Sequence, residues 1–74
     1  MDELVTVRVC FVNGSDYSYT VKDLTTAKRY AYSIITQGFR VRQEGKYTYY
    51  PVHAIREVQV IGGGGQELLV EKKQ

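Results

Sequence analysis

The sequence predicts an α+β domain in which an antiparallel β-sheet packs on one α-helix, in the order ββαβββ with an extra strand at the C-terminal end. Three observations carry this. One stretch, Asp23 to Gly38, repeats its apolar residues at intervals of three and four, the spacing of a helix face. The segments on either side alternate in polarity, the period of a half-buried strand. Turn-forming residues, Asn13-Gly14 and Glu44-Gly45-Lys46, separate those segments.

Leu4 to Val12 reads as the first strand, with Val5, Val7, Val9 and Phe11 on an apolar side and Leu4, Thr6, Arg8, Cys10 and Val12 on a mixed one. The apolar members of the mixed side call for cover, which a partner subunit would supply. Asn13-Gly14 is a strong hairpin signal because both residues tolerate positive φ. The return strand, Tyr17 to Val21, places Tyr17, Tyr19 and Val21 on one face. In the helix, Leu24, Ala27, Ala31, Ile34 and Ile35 form the buried stripe, Asp23 caps the first turn and Gly38 ends the last. A second hairpin follows, with Phe39 to Arg42 going out and Tyr47 to Tyr50 returning. Pro51 ends it, because proline cannot donate to a ladder. The segment PVHAI is expected to be a tight connection or one helical turn, before alternation resumes over Glu57 to Ile61. Gly62 to Gly65 reads as a flexible connector, and Glu67 to Glu71 as a last strand that pairs either in its own sheet or with a neighbour's edge.

With 74 residues the chain has room for a single domain, 1–74, with one core, and a domain this small gains from self-association. Cys10 is the only cysteine and His53 the only histidine, so neither an internal disulfide nor a zinc cluster is expected, and no cofactor is implied. Neither a targeting signal nor a membrane-spanning run is present, which points to a reducing, cytoplasmic setting. The formal charge is only +2, too small to announce a nucleic-acid binder. Its distribution is uneven, however. Between Lys22 and Arg56 the basic residues are Lys22, Lys28, Arg29, Arg40, Arg42, Lys46 and Arg56, against Asp23 and Glu44 alone. That makes an anion-attracting surface, although solvated charges around a helix and a hairpin would give the same pattern.

A catalytic set is not evident. Cys10 lies inside an apolar strand, His53 follows Pro51, and no base is placed beside a nucleophile, so the chain is not expected to be an enzyme. The suggestive constellation lies in FRVRQEGKYTYYPVHAIR: Arg40, Arg42, Tyr50 and Arg56, with Tyr49 and His53 beside them. Arginine holds phosphate with a two-pronged hydrogen bond, and tyrosine offers a flat ring for a base plus a hydroxyl. Tyrosine is equally a good strand former, and arginine a common exposed partner.

Two stretches, FVNGSDYSYTVKDLTTAKRYAYSIITQGF and the later YYPVHAI-x-x-V-x-V, are similar to small hairpin–helix proteins encoded by bacteriophages and prophages. The resemblance covers the chain up to Ile61 and maps no individual binding residue. It implies action by binding in the host-cell cytoplasm, either by sequestering a nucleotide signal of antiviral defence or by blocking a host enzyme. The expected function is therefore an oligomeric, non-enzymatic protein that captures an anionic nucleotide-like ligand. The alternatives are inhibition of a host protein through a sheet edge or face, and binding of single-stranded nucleic acid.

Overall fold

A computed structural model of the chain describes residues 4–72. In chain order its elements are β1 (Val5–Phe11), β2 (Asp16–Val21), α1 (Leu24–Gln37), β3 (Phe39–Gln43), β4 (Lys46–Tyr50), a 3₁₀ turn (Val52–Ala54), β5 (Ile55–Ile61) and β6 (Glu67–Lys72). This is an α+β fold with the element order that the sequence predicts, its extra strand included. One feature differs from that reading. The strands form two separate sheets: β2-β1-β5-β6, wholly antiparallel, and the β3–β4 hairpin.

Alternation decides which face of the main sheet is buried. Val5, Val7, Val9, Val58 and Val60 point to one side and are almost completely excluded from solvent. Burying an aliphatic side chain of this size contributes roughly 1.5–3 kcal/mol, so this face is the main source of stability. α1 lies on it through Ala27, Ala31 and Ile34. The two alanines bring the helix backbone close to the sheet, where larger side chains would hold it away. Asp23 caps the helix as expected: its carboxylate accepts from the Thr26 amide at 2.7 Å, and that bond holds the carboxyl below its ordinary pKa. At the other end Gly38, at φ +97°, donates its amide to the Ile34 carbonyl at 2.9 Å.

The turns depart from expectation in detail. The Asn13-Gly14 connection is a three-residue loop in which Gly14 alone has positive φ, closed by Phe11 N–H to Ser15 O (2.9 Å) and Gly14 N–H to Phe11 O (3.0 Å). The Asn13 carboxamide oxygen accepts from the Ser15 amide and hydroxyl, which fixes the chain's exit. The glycine run repeats this pattern: Gly62 donates to Gln66 O at 2.7 Å, Gly65 donates to Gly62 O at 2.9 Å, and Gly65 has φ +84°. It thereby returns β6 to pair with β5 in the same chain. Glu44-Gly45 makes the true two-residue turn, with φ of +49° and +77°.

β5 begins at Ile55, two residues before the alternation resumes, because Arg56 is an extra residue in the ladder: Cys10 faces Glu57 while Phe11 faces Ile55. The outer face of the sheet carries no second layer among the described residues. It is dressed with polar groups, among them an Arg8–Asp16 ion pair at 2.5 Å and a Gln59–Glu57 hydrogen bond at 2.8 Å. Cys10, in register between Asp16 and Glu57, is 4% exposed. The cover that the sequence asks of a partner is supplied for this residue by the chain itself. Leu4 and Val12, at the two ends of the strand, stay exposed.

Candidate functional site

The β3–β4 hairpin is a ribbon with two different faces, set by its two-residue turn. Register pairs Phe39 with Tyr50 and Val41 with Thr48 on one face, Arg40 with Tyr49 and Arg42 with Tyr47 on the other. The first face turns inward onto the core aromatics. Tyr50 stacks on Phe11 with ring centres 4.3 Å apart, and Phe39 lies 5.5 Å from Tyr17 and 6.1 Å from Tyr19. The second face is exposed throughout, with the Arg40 guanidinium 5.8 Å from the centre of the Tyr49 ring.

Between this ribbon and the helix runs a groove of about 570 Å³. α1 supplies Tyr30, Ser33, Ile34 and Gln37 to one wall, and Tyr17 and Tyr19 of β2 contribute aromatic surface from the main sheet. The other wall is Gly38 followed by Phe39 to Arg42 in sequence. Consecutive residues of a strand line a groove only when the strand presents its edge. Because Gln43 and Lys46 flank a two-residue turn, they exchange hydrogen bonds, and alternation then leaves the main-chain groups of Arg40 and Arg42 unpaired on that edge. Each of these residues therefore offers the groove a backbone amide, with its cationic side chain on the ribbon's outer face at the groove's border. Gln43 reaches Tyr17 across the end of the groove, its amide nitrogen 3.5 Å from the phenol oxygen.

The hydroxyl chemistry is also set by position. Burial, reinforced by the neighbouring Tyr30 and Tyr17 phenols, pushes the Tyr19 pKa up to about 12. Tyr19 is thus a neutral hydrogen-bond donor over the whole physiological range. Tyr49 is held differently: its hydroxyl donates to the Gln37 carbonyl at 3.1 Å, tying the ribbon to the last turn of the helix.

Of the residues that the sequence singled out, Arg40 and Arg42 border the groove, and Tyr49 stands next to Arg40. Tyr50 faces the opposite way and belongs to the core packing. Arg56 sits at the β5 irregularity, its side chain 60% exposed and 3.8 Å from Glu57, and His53 is exposed in the 3₁₀ turn; neither lines the groove. Sequence reasoning missed Tyr17, Tyr19, Tyr30, Ser33 and Gln37. A usable signal existed for three of them, since 30, 33 and 37 are spaced along one helix face beside the apolar stripe. Among the described residues no cluster of three or more potential metal ligands occurs, and no helix is long and apolar enough to cross a membrane. No protein-family model matches the chain, and comparisons with curated proteins and with solved structures returned no match.

Proposed function

We propose that this protein is a non-enzymatic binding protein that captures an anionic, nucleotide-like small molecule in the groove between α1 and β3. The observation that supports this reading is the meeting of Tyr17, Tyr19 and Tyr30 with Arg40 and Arg42 around one opening. Aromatic faces can take a base by stacking, while guanidinium and backbone amide groups take phosphate. Ser33 and Gln37 add neutral donors and acceptors suited to a sugar or a base edge. In a phage setting, such capture would remove a nucleotide signal of host defence from the cytoplasm.

Isothermal titration with a panel of cyclic dinucleotides and ADP-ribose derivatives tests this. One member is expected to bind, and Arg40→Ala or Arg42→Ala to weaken it by about tenfold each, the worth of one charge-assisted hydrogen bond. No heat from any member of the panel would overturn the proposal.

A second reading has its own support in the exposed Arg40–Tyr49 and Arg42–Tyr47 pairs, a cationic and aromatic surface suited to single-stranded nucleic acid. Tyr47→Ala separates the two. It leaves capture in the groove unchanged, whereas strand binding would fall with it and would weaken steeply as salt is raised.

A further inference from the structure

The two edges of the main sheet are unlike each other. β6, with the sequence ELLVEK, has an extra residue at Leu68 that breaks its register with β5, and half of its residues are charged. Both are devices that keep an edge from pairing. β2, with the sequence DYSYTV, has neither. Its ladder with β1 runs without a shift from Val5–Val21 to Cys10–Asp16, it contains no proline or lysine, and its one charge, Asp16, is engaged by Arg8.

Hydrogen-bond alternation shows which groups this edge leaves open. The Phe11–Ser15 bond that closes the loop sets the phase, so Tyr17, Tyr19 and Val21 direct their main-chain groups to β1. Asp16, Ser18 and Thr20 direct theirs away from the sheet. That set is complementary to itself. An antiparallel copy centred on Ser18 puts Ser18 opposite its own counterpart and Asp16 opposite Thr20 of the partner subunit, so all three residues pair. No like charges meet. On the core face the same register places Tyr17 opposite the partner subunit's Tyr19 in a non-hydrogen-bonded pair, where side chains come closest and aromatic pairs add stability.

We infer that β2 is a dimerisation edge, and that two copies of this chain join through it into one continuous antiparallel sheet with a two-fold axis at Ser18. Tyr17 and Tyr19 line the groove, so the two grooves then adjoin on the same face of the extended sheet. The inference stands on the strand edge and does not depend on what the groove binds.

Sedimentation of the full chain without added ligand tests it. Wild type is expected at twice the 8.5 kDa chain mass and Ser18→Pro at the chain mass itself. Proline removes the amide at the axis, which β1 does not use, and edge strands accept proline in that orientation. Ser18→Lys, which sets two like charges opposite each other and keeps the amide, is expected to give the same monomer and carries the test if the proline variant fails to fold. The Ser18 amide should also be protected from hydrogen exchange in a concentration-dependent way. Wild type sedimenting as a monomer up to its solubility limit, or an assembly that both substitutions leave intact, would overturn the inference. A Ser18 amide that becomes protected only on adding a different protein would do so as well.

Discussion

Gly38 is constrained twice over, by its backbone conformation and by its neighbours. It sits where the helix stops and the ribbon starts, in a conformation with φ +97° that side chains rarely adopt. An added Cβ would lie 2.7 Å from the Tyr50 carbonyl oxygen and 2.8 Å from the Tyr49 hydroxyl. Backbone strain and steric conflict act together, so Gly38→Ala is expected to destabilise by about 2 kcal/mol or more, seen as a lowered urea midpoint. Because Tyr49 is one of the groups displaced, the Tyr49–Gln37 tie should loosen too. Equal stability of the variant and the parent would mean that the helix ends in some other way.

Among the elements, the second hairpin teaches most about what a sequence discloses. Period alone identifies its strands, but the faces they present depend on turn length, and a shift of one residue exchanges them. Glu44-Gly45-Lys46 does not say whether two or three residues turn. The fold resolves this with two, so Tyr47 and Tyr49 join the arginines while Tyr50 goes to the core. Glu44 accepts a positive φ of +49° that glutamate disfavours and asparagine tolerates. Glu44→Asn is therefore expected to stabilise the domain by about 1 kcal/mol, measurable as a higher thermal midpoint. An unchanged or lower midpoint would place the turn's strain elsewhere. The helix was fully legible by contrast, because its cap, its apolar stripe and its terminal glycine are local features.

For the whole molecule, the class and order of elements were in the sequence, and the assembly of strands was not. Nothing local tells β5 to lie beside β1, since that contact joins distant parts of the chain and is chosen by the burial of Val58 and Val60 against Val7 and Val9. The groove was hidden for the same reason. Tyr17 and Tyr19 share one face of their strand, and nothing local says that the ribbon docks beside them with a groove between it and the helix. The ribbon's attachment has a further consequence. Its strands share no ladder with the main sheet, and the described contacts that hold it down are side-chain ones: Phe39 and Tyr50 on the core aromatics, Tyr49 on the helix end, Gln43 on Tyr17. Such an element can lift while every main-sheet hydrogen bond stays in place, with Gly38 and Pro51 as its pivots. Amide exchange is expected to be faster over Phe39–Tyr50 than over β1 and β5, and a ligand seated against β3 should slow it selectively. The wall of the groove would then be a clasp, with an opening energy set by aromatic packing and separate from the stability of the domain.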